Sequence, residues 1–143
     1  MTDELVFETY IKASAEQVWE AITTSEFRRQ YFFGSTVDAD WRPGGRLVSH
    51  SPDGELWADN EIYECDPPRL LSHGWRSLYD PELAAEPESR ITWTIEPQDG
   101  DYVKLTVVHD RLAAAPKTAE HIRGWSFILS GLKSVLETGS GLT

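Results

Sequence analysis

The sequence predicts an α+β fold in which a curved antiparallel sheet wraps around one long C-terminal helix. Three observations point to it. Ile122, Trp125, Ile128, Leu129, Leu132, Val135 and Leu136 recur at steps of three and four, the period of a single buried helix face. Most of the chain before them alternates apolar and polar residues, the period of half-buried strands. The alternating segments are separated by tight-turn sequences, and strands joined in that way pair antiparallel.

Taken in order, Leu5, Phe7, Thr9 and Ile11 face one way and Val6, Glu8, Tyr10 and Lys12 the other, which makes 5–11 a strand. Ser14 opens a helix with Gln17 in capping-box position, and Val18, Trp19, Ala21 and Ile22 form its apolar side. Thr24 or Ser25 caps a second short helix through Phe27, Tyr31 and Phe32 that closes at Gly34. Arg42-Pro43-Gly44-Gly45 is a turn, 46–51 a short strand, and Pro52-Asp53-Gly54 a hairpin turn into a strand over 55–65. Asp66-Pro67-Pro68 ends that strand. The next strand is predicted over 69–79, with Leu71, His73, Trp75 and Tyr79 on one side. Residues 80–88 hold two Pro and four acids, the composition of a mobile loop and a candidate lid. Ile91, Trp93 and Ile95 share one face of a strand over 90–96. Residues 98–101 then turn into a strand over 102–110, whose Val103, Leu105, Val107 and His109 share a face.

The last element is predicted as one helix over 116–138. Pro116 stands near its first turn, Gly139 follows as C-cap, and Lys117, Arg123, Ser126, Ser130, Lys133, Ser134 and Glu137 fall mainly on the polar side. Gly124, Ile128, Gly131 and Val135 lie along one line of this helix. Two explanations fit two glycines there: close approach of the helix to the sheet, or room left for a cavity between them.

At 143 residues the chain is predicted to be a single domain over 1–143 with a real core. Aromatic residues are abundant, with six Trp, five Tyr and five Phe. A formal net charge of −11 opposes contact with phosphate backbones and acidic lipid, and no basic patch interleaves with aromatics. Nucleic acid and membrane are therefore not expected as partners. The single Cys, Cys65, suits a reducing compartment, and the acidic start Met1-Thr2-Asp3-Glu4 lacks the apolar run of a signal peptide. Both predict a cytoplasmic location.

No glycine-rich phosphate loop is present, and the four His form no metal-ligand spacing, so neither cofactor nor metal is expected. Asp59 and Glu61 share a strand face and read as a solvated pair. His73 and His109 are the candidates for chemistry. If their faces point inward, both imidazoles line the space between sheet and helix, either as hydrogen-bonded core residues, as polar anchors in an apolar pocket, or as a general acid or base.

Residues 13–23, Ala-Ser-Ala-Glu-Gln-Val-Trp-Glu-Ala-Ile-Thr, resemble the first-helix signature of the SRPBCC (START-like, Bet v-like) superfamily. Gln30-Tyr31-Phe32-Phe33-Gly34, Gly44-Gly45, residues 62–70, Ser72-His73-Gly74-Trp75, residues 105–110, Gly124-Trp125 and residues 132–137 follow in the same order. Together they resemble the branch named for the activator of the 90-kDa heat-shock protein ATPase. The resemblance implies a helix-grip fold with a deep apolar cavity between sheet and C-terminal helix. It also implies stand-alone small-molecule binding for chains of this kind. The branch's co-chaperones carry a separate N-terminal chaperone-binding domain, whereas the START-like signature begins here within the first fifteen residues.

The leading expectation is a cytoplasmic protein binding a small hydrophobic or aromatic molecule. Its cavity walls would be Tyr31, Phe32, Trp75, Trp93, Trp125, Ile128 and Leu129, with His73 and His109 as anchors. One alternative is an enzyme, cyclase- or hydrolase-like, using a cavity His on a small hydrophobic substrate. Another is a stress-linked, chaperone-associated interaction protein. Homodimerisation is expected of the class.

Overall fold

The computed structural model of the chain describes residues 4–142, apart from the side chain of Arg123. The acidic start at 1–3 and the polar-face position of Arg123 lie outside the described residues.

Seven antiparallel strands form one curved, unclosed sheet: β1 (Leu5–Ile11), β2 (Thr36–Ala39), β3 (Arg46–His50), β4 (Leu56–Asp66), β5 (Leu70–Trp75), β6 (Ser89–Pro97) and β7 (Val103–Asp110). The spatial order is β1-β7-β6-β5-β4-β3-β2. Every connection from β2 to β7 thus joins sheet neighbours, and β1 closes on β7 with Leu5 opposite His109 and Ile11 opposite Val103. The eleven-residue β4 slips register between Ile62 and Glu64. A bulge of that kind bends a strand and sharpens its twist, and it helps this sheet curve.

Two helices follow β1: α1 (Ala15–Thr23) and α2 (Ser25–Tyr31). Ser14 Oγ accepts from the Gln17 amide at 3.1 Å while Gln17 Oε1 accepts from the Ser14 amide at 2.9 Å, a complete capping box. After the sheet come α4 (Pro116–His121), a 3-10 turn (Ile122–Gly124) and α5 (Trp125–Thr138), with a short α3 (Pro81–Ala84) between β5 and β6. Pro116 stands in the first turn of α4, and Gly139 ends α5 at φ 87°. The α5 helix packs on β1, α1 and α2, and the inward faces of β6 and β7 alternate without interruption through Ile91, Trp93, Ile95, Val103, Leu105, Val107 and His109.

The structure corrects the sequence reading in four places. The single helix predicted over 116–138 is two helices, because the chain tightens into a 3-10 turn at Ile122–Gly124, ending in a residue of poor helix propensity. The strand predicted over 69–79 stops at Trp75. Residues 36–39 form β2, paired to β3, where no strand was predicted. The segment 80–88 is anchored rather than a mobile loop. Asp80 Oδ1 caps α3 by accepting from Glu82 N at 2.8 Å, Leu83 is buried, and the Glu86 carboxylate accepts from the amides of Lys117 and Thr118 at 3.0 and 2.7 Å. Those two amides belong to the first turn of α4, so the acids of the segment serve as caps.

The two glycines of the last helical region serve different ends. A Cβ on Gly131 would stand 3.1 Å from Tyr31 Cβ, so this glycine allows α5 to approach α2 rather than the sheet. A Cβ on Gly124 would meet nothing within 4 Å. Gly131→Ala is therefore expected to lower stability by on the order of 1 kcal/mol, since Tyr31 is buried and its hydroxyl is held by the Ala21 carbonyl. Gly124→Ala should raise stability by about 0.5 kcal/mol. Urea unfolding of both variants checks the opposite signs.

Candidate functional site

The sheet and the α2, α4 and α5 segments enclose a cavity of about 460 Å³. Its aromatic wall is supplied by Phe32 at the end of α2, Trp75 on β5, Trp93 on β6 and Trp125 at the start of α5, with Ile128 one turn further along. Trp125 is the hub of this wall. Its ring centroid lies 5.4 Å from Trp93, 5.6 Å from Trp75 and 5.9 Å from Phe32, in edge-on or tilted arrangements favoured by the aromatic quadrupole.

The opposite wall comes from β3 and β4, where Leu47 pairs with Asn60 and Ser49 with Ala58. Ser49 and Ala58 are small residues directly across from one another, so the sheet is thin there and space remains above it. The rim is formed by Trp57, Tyr79 and His121. Tyr79 lies 5.8 Å from Trp57 and 5.7 Å from His121 between ring centroids, and its hydroxyl is hydrogen-bonded to His121 Nε2. Tyr79, His121 and Gly124 are exposed, which marks this side as the opening. The 3-10 break before α5 places His121, Ile122 and Gly124 on the rim.

Both candidate histidines point inward, and both are fully engaged. His73 Nδ1 lies 2.7 Å from the Gly74 carbonyl and so must carry the proton, while Nε2 accepts from the Trp93 indole N–H at 3.1 Å. His109 is the other tautomer. Its Nδ1 accepts from the Trp125 indole N–H at 3.2 Å, and Nε2–H donates to Ser89 Oγ at 2.7 Å, whose own proton goes to the Trp75 carbonyl at 3.0 Å. Burial, the largest cause in both, pushes His73 down from 6.5 to about 4 and His109 down from 6.5 to about 3. Neutral imidazoles are thus built in as acceptors for two buried indoles. Neither ring nitrogen of either residue is left with a free proton or lone pair to transfer to a bound molecule.

Of the residues singled out from sequence, Phe32, His73, Trp75, Trp93, Trp125 and Ile128 stand on the cavity wall. Tyr31, Leu129 and His109 do not: Tyr31 packs under Gly131, Leu129 is buried in the core, and His109 lies beyond Trp125 with no exposed surface. Sequence reasoning missed Arg28, Asn60, Trp57 and Arg76, all on the wall. Arg28 carried a legible signal, since it precedes Tyr31 and Phe32 by three and four residues on the apolar face of α2. The other three depend on strand pairing and the path of the chain after β5. Asp59 is held by Arg46 at 2.9 Å on the outer surface, away from this site. Among the described residues no group of three or more His, Cys, Asp or Glu side chains could hold a metal ion, and no helix is long and apolar enough to cross a membrane.

The family model described as activator of Hsp90 ATPase homolog 1-like protein matches residues 12–137. No curated protein matches the sequence. Among solved structures, protein MLL2253 of Mesorhizobium loti is similar at TM-score 0.73 and 21% identity, covering 94% of this chain and 96% of that one. CalU16 of Micromonospora echinospora is similar at 0.71 and 21%, covering 94% and 74%. The Aha1 dimer of Colwellia psychrerythraea is similar at 0.71 and 19%, covering 99% and 100%. At these identities the likeness is one of fold.

The tautomers set a pH dependence. Each imidazole has a folded pKa below its unfolded value, so its contribution to stability is complete above about pH 6.5 and is lost as pH falls towards 4 for His73 and 3 for His109. Between pH 6.5 and 5 unfolding stability should fall by roughly 2 to 3 kcal/mol per pH unit for the pair. Urea titrations across that range test the slope, and nitrogen NMR of the imidazoles should show neutral His73 protonated at Nδ1 and neutral His109 at Nε2 down to pH 5.

Proposed function

The chain belongs to the activator of Hsp90 ATPase homolog 1-like family, and we propose that within it this protein binds a small hydrophobic or aromatic molecule between the sheet and the C-terminal helix. The observation that carries the reading is the aromatic cavity itself. Its volume of about 460 Å³ falls within the range of about 300–1,000 Å³ typical of small-molecule sites. Its walls are rigid rings already in contact with one another, so a flat apolar ligand meets a surface that needs little reordering. With every ring nitrogen of His73 and His109 engaged, the reading is one of binding rather than proton transfer, and it requires no cofactor or metal. The cytoplasm is its proposed location.

The test is quenching of the cavity tryptophans. Titration with phenylnaphthylamine, a neutral aromatic probe, should give saturable one-to-one quenching. Ala58→Phe, which sets a ring into the space opposite Ser49, should weaken binding at least about tenfold with little change in stability. Absence of saturable quenching across a panel of aromatic probes would refute the reading.

A second copy of the chain is the proposed protein partner. Phe33 and Phe127 are 61% and 42% exposed and stack on one another with centroids 6.2 Å apart, beside Leu142 at 54%. Exposed rings grouped in this way mark a contact surface, and the similar Colwellia psychrerythraea protein is described as a dimer. Light scattering on the eluting protein should report a dimer, and Phe127→Glu a monomer. A monomeric wild-type protein would dismiss this partner.

A further inference from the structure

Among the described residues four buried side-chain atoms lack a hydrogen-bond partner: Arg28 Nε, Asn60 Oδ1, Trp75 Nε1 and Arg76 Nε. All four belong to residues lining the one cavity. Buried polar groups in native proteins are nearly always paired, and the exceptions call for a cause. Here the exceptions share an address.

Their chemistry is lopsided. Three are N–H donors and one is an acceptor, so the missing complement is rich in acceptors. Arg28 defines it further. The residue is 4% exposed, and its guanidinium lies 4.2 Å over the Phe32 ring. Among the described residues the one hydrogen bond of its guanidinium runs from Nη1 to the Ile22 carbonyl at 3.4 Å. Among the described residues no carboxylate pairs with it, although the chain carries 24 acidic side chains. A guanidinium stays charged even where burial lowers its pKa, and an uncompensated buried charge is costly. Seven ion pairs are made among the described residues, so acids were at hand for pairing elsewhere. The surface is anionic as a whole, so any attraction for an anion has to be local to the cavity.

We propose that the ligand is an amphipathic acid, an apolar aromatic or aliphatic body bearing a single carboxylate, with the carboxylate directed to Arg28 and the body against Trp75, Trp93 and Trp125. The inference rests on the binding reading above. A carboxylate matches the fork of the Arg28 guanidinium in both charge and shape. The indole N–H of Trp75 and the Nε of Arg76 supply further donors around the same space. Because no described carboxylate pairs with Arg28 and its guanidinium makes one long hydrogen bond, to the Ile22 carbonyl, replacing it by an apolar residue of similar length is expected to preserve the fold.

The experiment compares naphthoic acid with acetonaphthone, its neutral counterpart of nearly the same shape, by tryptophan quenching at neutral pH on wild type and Arg28→Met. The expected result is an acid bound at least about tenfold tighter than the ketone by wild type, with that preference lost in Arg28→Met while ketone affinity stays within about threefold. A ketone bound as tightly as the acid by wild type overturns the proposal and leaves the binding reading standing. An acid preference that survives intact in Arg28→Met overturns the assignment to Arg28. Binding of neither probe by wild type removes the proposal, and the reading beneath it falls with it only when phenylnaphthylamine and the rest of the aromatic panel also fail to quench. The wild-type comparison needs no variant to fold.

Discussion

The structure depends on how the indole of Trp125 is accommodated. A buried Trp must place a large ring and satisfy one N–H. The ring is surrounded by Phe32, Trp75 and Trp93, and the N–H is accepted by His109 Nδ1 on β7. His109 can accept there only because its other nitrogen gives its proton to Ser89 on β6, and Ser89 in turn donates to the carbonyl of Trp75 on β5. One file of hydrogen bonds thus runs from the first residue of α5 across three neighbouring strands. It fixes where the C-terminal helix begins, and the 3-10 turn before it leads α4 to the cavity rim. The cavity occupies the space between this bulky aromatic end and the small Ser49–Ala58 pair.

Buried polar groups fall into two classes in this protein. His73, His109, Ser89 and Tyr31 are each matched by partners within the fold. Matching of that kind gives a unique core and keeps both imidazoles neutral. Arg28, Asn60, Trp75 and Arg76 each hold an unmatched atom on the cavity side. A buried polar atom without a partner costs stability, and these four are the observation on which the proposed acid-binding site rests.

Much of the scaffold was legible in the chain because it rests on local signals. The Ser14–Gln17 capping box, the alternation of Val103, Leu105, Val107 and His109, and the C-cap at Gly139 each depend on a few neighbouring residues. The six wall residues Phe32, His73, Trp75, Trp93, Trp125 and Ile128 were legible for the same reason, since a period of two or of three and four assigns an inward face. Tyr31 and Leu129 share those periods yet face other helices and the core, because periodicity reports burial and is silent about what covers a residue. Residues 80–88 misled for a related reason: acids and prolines also make caps, and Glu86 caps a helix thirty residues away in sequence.

The residues alone decide the helix-grip order of elements, the inward faces and the family, since periodicity, turn chemistry and short motifs are properties of the linear chain. Distances between elements are not. The break at Gly124, the contact of Gly131 with Tyr31 in place of the sheet, the opposite tautomers of His73 and His109, and the position of an unpaired Arg28 on the cavity wall all arise when β5, β6, β7, α2 and α5 meet. Hydrogen-bond partners and empty volume are set by three-dimensional packing, and packing among segments far apart in sequence leaves no local pattern to read.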